Sequence, residues 1–179
     1  LEVGAGQGIL TWKLVDALKG KKNFMYHFTD IGRTFITKAR KYSASNNLGD
    51  KMSFSIFNFN INPELQNMAN NNYELIIAFD ALHNASNLTD TIFYLKNLLR
   101  PDGILIILES TYFPQWLHFI WGVTPEWWSQ IDRDKSVSPL LHVNQWEKLL
   151  GKSAFSEVFV FPDKKLQHNT NFILLFCRK

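Results

Sequence analysis

Short apolar runs and segments of helical spacing alternate along most of the chain. The apolar runs predict strands, which we place at residues 23–31, 51–57, 73–79 and 104–108. The segments of helical spacing predict helices, which we place at residues 11–18, 35–45, 63–68 and 88–99. Strands that alternate with helices favour a parallel sheet with helices on both faces, and ligands of such sheets bind beyond the carboxyl ends of the strands.

The two ends of the chain predict further strands. The apolar residues before Gly4 read as the end of a strand, and residues 100–103 carry a strong turn signal in Pro101 and Gly103. Residues 143–150 predict a helix that stops at Gly151, and residues 156–162 and 169–177 predict two strands with a polar turn between them. A chain of 179 residues suits one domain, which we place at 1–179.

Composition narrows the class of protein. The net charge of +3 gives no electrostatic sign of a nucleic-acid partner, and no apolar run of about eighteen residues suggests a membrane span. Cys177 stands alone, which excludes an intramolecular disulfide and a thiolate zinc cluster and fits a reducing, cytoplasmic location. Because the sequence begins in the middle of a predicted strand, we interpret it as a piece of a longer protein, truncated at its N-terminus.

Three alternating glycines, Gly4, Gly6 and Gly8, join the first strand to the first helix. Glycine suits a tight turn where a ligand lies against the backbone, and the following helix presents unpaired N–H groups to that ligand. A dinucleotide-binding fingerprint would place the third glycine one residue later, where Ile9 stands. With Glu2, the pattern E-x-G-x-G-x-G resembles motif I of the class I S-adenosylmethionine-dependent methyltransferases; an ordinary glycine turn is the alternative.

Other segments resemble the C-methyltransferase domains of polyketide synthases. They are residues 26–31, 81–85, 98–103, 127–128, 138–141 and 145–146. The resemblance implies a doubly wound, mostly parallel seven-stranded sheet with an antiparallel last strand. It also implies methylation of the carbon between two carbonyls of a β-ketoacyl thioester on an acyl carrier protein, within a larger multidomain synthase.

The expected cofactor is S-adenosylmethionine, with S-adenosylhomocysteine as product. Asp30, at the end of the second strand and about twenty residues beyond the glycines, is the candidate for the ribose hydroxyls, unless it caps the next helix. Asn58 stands where the family usually has an aspartate facing the adenine, and Asp80 where an asparagine is common. The predicted cofactor-binding residues are Glu2, Gly4, Ala5, Gly6, Gly8, Asp30, Ile31, Asn58, Phe59 and Asp80.

His83 and Glu109 are the candidate catalytic residues. A carbon acid needs a base that titrates near neutrality, which histidine does. His83 follows the fourth strand and Glu109 ends the fifth, and adjacent strands lie about 4.8 Å apart, so the carboxylate can orient the imidazole. The same pair resembles the catalytic dyad of the polyketide C-methyltransferases. The alternatives are a capping or packing histidine and a solvent-exposed or N-cap acid; we assign His27, His118, His142 and His168 structural roles.

Residues 112–142 are rich in aromatic side chains and contain Pro114 and Pro125, which divide them into short pieces. Such a segment suits a lid that shields the reaction from water and accepts an acyl chain, although simple core packing is the alternative. The predicted substrate-binding residues are Tyr112, Trp116, Trp127 and Trp128.

Several other methyl acceptors are disfavoured. Adenine methylation uses a motif that contains prolines after the fourth strand, whereas this strand is followed by Asp80-Ala81-Leu82-His83. Cytosine-carbon methylation needs a cysteine nucleophile, but Cys177 lies in the final strand, away from the ligand edge. No carboxylate cluster suggests a metal, so no metal site is predicted. Two alternatives stay open: a small-molecule N- or O-methyltransferase that uses His83, and a non-catalytic methyltransferase-like structural domain.

Overall fold

The computed structural model describes residues 1–21, 23–112, 114–132, 138–163 and 171–179. Phe113, His168 and the start of the strand predicted at 169–177 lie outside the described residues, as do residues 133–137 of the aromatic segment. None of the helices in the described ranges combines the length and apolarity that a bilayer crossing requires.

Strands and helices follow one another in the predicted order. The strands are β1 (Glu2–Val3), β2 (Tyr26–Asp30), β3 (Met52–Ile56), β4 (Tyr73–Phe79), β5 (Leu99–Ser110), β6 (Glu157–Phe161) and β7 (Phe172–Arg178). The α-helices are α1 (Thr11–Leu18), α2 (Arg33–Ser45), α3 (Leu88–Leu98), α4 (Gln115–Trp121) and α5 (Val143–Lys152). Short 3-10 helices span Gly49–Lys51, Pro63–Gln66, Leu82–Asn84 and Pro125–Trp128.

The seven strands form one sheet in the order β3-β2-β1-β4-β5-β7-β6. The pairs among β1 to β5 are parallel, whereas β7 is antiparallel to both of its neighbours, β5 and β6. This confirms the predicted doubly wound sheet with an antiparallel last strand. The carboxyl ends of β1, β2, β4 and β5 therefore meet at one edge, which is where the predicted site residues follow the strands.

Most boundaries differ from the prediction by one to three residues, and two differences are instructive. Gly151 does not stop α5, which continues to Lys152, because the helix is anchored by the buried Trp146 and Leu150 and a lone glycine is tolerated there. Strand β5 begins at Leu99 and includes the predicted turn. The turn survives as an irregularity of that strand, since Asp102 has a left-handed φ of 61° and the pairing with β4 shifts register after Tyr73.

Apolar side chains are buried on both faces of the sheet. Helices α3 and α5 cover one face, where Ile92, Leu95 and Trp146 pack against strand residues such as Ile107 and Leu175. Helices α1 and α2 cover the β1-β2-β3 part of the other face through a smaller cluster that includes Val15, Phe28 and Ile36. The sheet edge that carries the site therefore rests on a rigid core.

Two of the histidines that we assigned structural roles have such contacts. His27 hydrogen-bonds Tyr73 and Ser55 at 2.8 and 2.7 Å, and burial lowers its pKa to about 4, so the ring is neutral. His142 is the N-cap residue of α5, and its backbone N–H donates to the Gln145 side chain at 2.8 Å. Both lie in contacts that explain their presence without catalysis.

Candidate active site

The glycine loop has the backbone that only glycine adopts easily. Gly4, Gly6 and Gly8 have φ values of 64°, 55° and 76°, in the left-handed region. A Cβ on Gly4 would lie 2.7 Å from the Cβ of Ala81, and one on Gly8 would overlap the indole of Trp12. A Cβ on Gly6 would meet no neighbouring group within 4 Å. The loop thus packs tightly at its ends and presents bare backbone to open space at its middle.

Asp30 lies against this bare backbone. The Gly6 N–H donates to one carboxylate oxygen of Asp30 at 2.9 Å, and the Gly32 N–H donates to the other at 2.7 Å. Helix α2 is capped at Gly32 without a side-chain hydrogen bond, so Asp30 is not its N-cap. Each carboxylate oxygen has a second lone pair, which leaves capacity for the ribose hydroxyls of the predicted cofactor.

Glu2 lies beneath the loop, in the protein interior. Its carboxylate accepts hydrogen bonds from the hydroxyls of Thr11 and Tyr26, and only 1% of the residue is exposed. Burial raises the pKa of Glu2, and these two hydrogen bonds oppose that effect. The geometry indicates that Glu2 ties β1 to α1 and β2 and so fixes the loop from below.

The remaining predicted cofactor residues surround the loop. Ile31 is exposed at the end of β2, and Ala5 joins the loop to β2 through its N–H, which donates to the Thr29 carbonyl at 3.0 Å. The ring of Phe59 reaches to 3.6 Å from the position of a Gly4 Cβ. Asn58 accepts the Asn60 N–H on its side-chain oxygen at 3.0 Å, and a second lone pair remains for an adenine amino group.

His83 and Glu109 are in direct contact. His83 Nδ1 lies 3.0 Å from Glu109 Oε2, and Glu109 Oε1 accepts the backbone N–H groups of Ala81 and Leu82 at 2.8 and 2.6 Å. Glu109 is fully buried, so it is not a solvent-exposed acid. Since an ionised carboxylate can only accept, Nδ1 carries the proton and Nε2 keeps its lone pair. This is the arrangement of a base and the residue that orients it.

The loop that carries His83 touches the glycine loop. Ala81, whose N–H binds Glu109, is also the residue whose Cβ crowds Gly4. Asp80 precedes it with a left-handed φ of 48°, and its Oδ1 accepts the Ser110 hydroxyl at 2.8 Å. The glycine loop and the loop that carries His83 are therefore one packed unit.

Sequence reasoning missed two residues that contact His83, one at its imidazole and one at its backbone. The side-chain amide of Asn84 lies 3.0 Å from His83 Nε2, and the buried Gln130 donates to the His83 carbonyl oxygen at 3.2 Å. Asn84 follows His83 directly, so its adjacency could have indicated the contact. Gln130 lies 47 residues away, and no local pattern indicates it.

The aromatic segment divides between the two predicted roles. Tyr112 and Trp116 are 51% and 60% exposed, which is compatible with a lid surface. Trp127 is only 4% exposed and meets the His83 ring edge-on, with centroids 6.0 Å apart. Trp128 is half-buried and donates from its indole to the Gly122 carbonyl at 2.9 Å. Trp127 thus packs as a wall beside the imidazole, while Tyr112 and Trp116 face outwards.

Asp80, His83 and Glu109 offer ligand atoms that lie within 4.8 Å of one another. The atoms concerned already form a hydrogen-bonded network, with Ser110 on Asp80 and His83 on Glu109. The geometry favours that network over a metal centre, and the expectation of no metal stays a prediction.

Alanine substitutions in the glycine loop should separate effects on the stability of the fold from effects on S-adenosylhomocysteine binding. We expect Gly4→Ala to destabilise the fold by about 3 kcal/mol, because left-handed strain adds to overlap with Ala81. Gly6→Ala should cost only the strain, about 1–2 kcal/mol, but its methyl enters the open space and weakens S-adenosylhomocysteine binding. Urea unfolding and calorimetric titration measure both effects. Gly20→Ala, with no neighbour within 4 Å, is the control; equal effects at Gly4 and Gly20 would contradict this account.

Comparison with known proteins agrees with this geometry. Residues 1–105 match the family model described as a methyltransferase domain. The chain is 35% identical over 162 residues to a hybrid PKS-NRPS synthetase of Penicillium oxalicum, covering 90% of this chain and 4% of that protein. It is 31% identical over 158 residues to the squalestatin tetraketide synthase of a Phoma species, covering 87% of this chain and 6% of that protein. The chain therefore spans a small fraction of these relatives.

Solved structures give the same result. The CMeT domain of the citrinin polyketide synthase superposes with a TM-score of 0.86 at 27% identity, covering 98% of this chain and 45% of that one. The CurJ carbon methyltransferase superposes with a TM-score of 0.84 at 27% identity, covering 99% and 47%. The chain therefore belongs to the methyltransferase domain family, as an S-adenosylmethionine-dependent enzyme of class I fold similar to the C-methyltransferase domains of polyketide synthases.

Proposed function

We propose that this chain methylates the α carbon of a β-ketoacyl thioester carried by an acyl carrier protein, as one domain of a larger polyketide synthase. His83 is the general base, and Glu109 is its positioning residue. The observation that carries the proposal is the 3.0 Å contact between His83 Nδ1 and Glu109 Oε2, on a loop packed against Gly4.

The residues present fit S-adenosylmethionine. The bare backbone at Gly6 leaves the space that a side chain would fill, Asp30 has spare acceptor capacity beside it, and Phe59 offers an apolar ring next to Gly4. When bound, S-adenosylmethionine supplies an electrophilic methyl group with its own leaving group. The protein has to hold the acceptor in line with that methyl and remove one proton.

The proton is removed at His83 Nε2. Because Nδ1 donates to Glu109, the imidazolium formed by protonation at Nε2 is stabilised by a fully buried carboxylate. The side-chain amide of Asn84 lies 3.0 Å from Nε2. Because Asn84 is exposed, this amide can move aside for an acyl chain. Trp127 excludes water from one side of the ring.

A mass-spectrometric assay tests this proposal. The chain is incubated with S-adenosylmethionine and β-ketoacyl thioesters of an acyl carrier protein, and tandem fragmentation locates any added methyl. We expect one methyl on the α carbon. A methyl on oxygen or nitrogen would favour the small-molecule alternative, and S-adenosylhomocysteine binding without any transfer would favour the non-catalytic domain.

A further inference from the structure

Part of the aromatic segment is bonded to the loop that carries His83. Trp127 packs edge-on against the His83 ring, with centroids 6.0 Å apart. Three residues later, the side chain of Gln130 is buried, and its amide donates to the His83 carbonyl oxygen at 3.2 Å. We call residues 127–132 the anchoring stretch. It contacts His83 at the ring and at the backbone.

The last two residues of the anchoring stretch extend this attachment along the chain. The Ile131 N–H donates to the Ser86 carbonyl oxygen at 2.7 Å. One carboxylate oxygen of Asp132, Oδ2, accepts the backbone N–H groups of Leu88 and Thr89 at 2.8 and 3.1 Å. Those two N–H groups belong to the first turn of α3, where a helix offers them no acceptor of its own. Asp132 therefore ties the anchoring stretch to the helix that follows the loop.

Asp132 makes the strongest of these backbone contacts. Its carboxylate is a charged acceptor for two N–H groups at once, and hydrogen bonds to charged groups are about twice as strong as those between neutral groups. It also lies at the N-terminus of α3, where the helix dipole favours a negative charge. The contacts of Gln130 and Ile131 join neutral groups. Loss of the Asp132 carboxylate should therefore loosen the anchoring stretch most.

Helix α3 has a second capping residue, which provides a matched comparison. The side-chain oxygen of Asn87 accepts the Asp90 N–H at 3.2 Å, so this contact stays within one turn of the helix. The contact between Asp132 and Leu88 instead spans 44 residues of chain and joins α3 to the anchoring stretch. Substitutions at these two positions therefore separate the stability of α3 from the position of His83.

We infer that Asp132 is a positioning residue for His83. By fixing the anchoring stretch to α3, it keeps Trp127 against the imidazole and Gln130 against the His83 carbonyl. Glu109 holds the ring at Nδ1, and the anchoring stretch holds the backbone of the same residue. A misplacement of about 1 Å can lower a rate about 10²-fold. The inference rests on the proposed role of His83 as base, so its first test does not require turnover.

Nuclear magnetic resonance of the histidine rings measures the position of His83 directly. The chain is labelled at histidine Cε1, and the His83 signal is identified by its absence from the spectrum of His83→Ala. The ring current of Trp127 makes this signal sensitive to small displacements. We expect Asp132→Ala to shift or broaden it. Asp132→Asn should preserve it, because the amide oxygen still accepts both N–H groups, and so should Asn87→Ala. An unchanged signal in Asp132→Ala, or an equal change in Asn87→Ala, would overturn the inference.

Single-turnover kinetics with a β-ketoacyl thioester give the second measurement. Asp132→Ala should lower the rate of methyl transfer about 10-fold to 10²-fold and leave S-adenosylhomocysteine affinity unchanged. Asp132→Asn and Asn87→Ala should keep the parental rate, although Asn87→Ala and Asp132→Ala both lose a cap and should unfold about 2–4 °C lower. Equal rates for these two alanine variants would overturn the inference, because Asp132 would then only stabilise α3. If His83→Ala kept the parental rate while Asp132→Ala displaced the ring, the proposed function would fail and the positioning of the ring would stand.

Discussion

His83→Ala should lower methyl transfer by about 10²–10⁴-fold, the range that a general base contributes, while leaving S-adenosylhomocysteine affinity close to the parental value. The imidazole hydrogen-bonds Glu109 and Asn84, whereas the bare backbone that would hold the cofactor belongs to Gly4, Gly6 and Gly8. Single-turnover kinetics with saturating cofactor measure the first quantity, and calorimetric titration measures the second.

The matched control for that variant is His142→Ala. The His142 backbone N–H donates to the Gln145 side chain at 2.8 Å, and alanine keeps that bond, so this variant should keep both its stability and its methyl transfer. If His83→Ala transferred methyl at the parental rate, the imidazole would not be the base. If it lost cofactor binding as well, the role of His83 would be structural.

Glu109→Gln should lower the rate of methyl transfer nearly as far as His83→Ala does, although it only replaces one carboxylate oxygen by an NH₂ group. The carbonyl oxygen of the Gln amide can still accept hydrogen bonds from the backbone N–H groups of Ala81 and Leu82. Its NH₂ group then points at His83 Nδ1. Two donors cannot pair, so the ring must move its proton to Nε2, the nitrogen that we propose as the base. The corresponding amide substitution in serine proteases lowers kcat about 10⁴-fold for the same reason.

The measurement is the pH profile of kcat for Glu109→Gln, with thermal unfolding as the check on the fold. We expect an intact fold and a rate that stays low across neutral pH, because the wrong tautomer persists wherever the ring is neutral. Parental rates in this variant would show that the carboxylate does not set the proton position. Glu109→Ala is less informative, because it leaves two buried backbone N–H groups without their hydrogen-bond acceptor.

The sequence predicted those parts of the fold that depend on local patterns. The helix at residues 11–18 and the strand at 73–79 have the bounds that periodicity assigned, and the contact between His83 and Glu109 follows from adjacent parallel strands. In the structure Phe79 pairs with Leu108, so the residues that follow them emerge side by side. A pair that ends two neighbouring strands can be inferred before any coordinates exist.

What the sequence did not predict depends on distant partners. Glu2 reads as a ligand-facing motif residue, but Tyr26 and Thr11 hold it in the interior. Gln130 and Trp127 approach His83 only because the aromatic segment folds back onto the loop that follows β4. No periodicity encodes which face of that segment meets the imidazole, because tertiary packing decides it.

The central claim is that one imidazole, held by one carboxylate, takes a proton from carbon beside the methyl donor. A structure of this chain with S-adenosylhomocysteine and an unreactive β-ketoacyl thioester measures it directly. The account predicts His83 Nε2 about 3–3.5 Å from the α carbon, with the cofactor sulfur on the opposite side of that carbon. An α carbon out of reach of Nε2, or a cofactor bound away from Gly6, would contradict it.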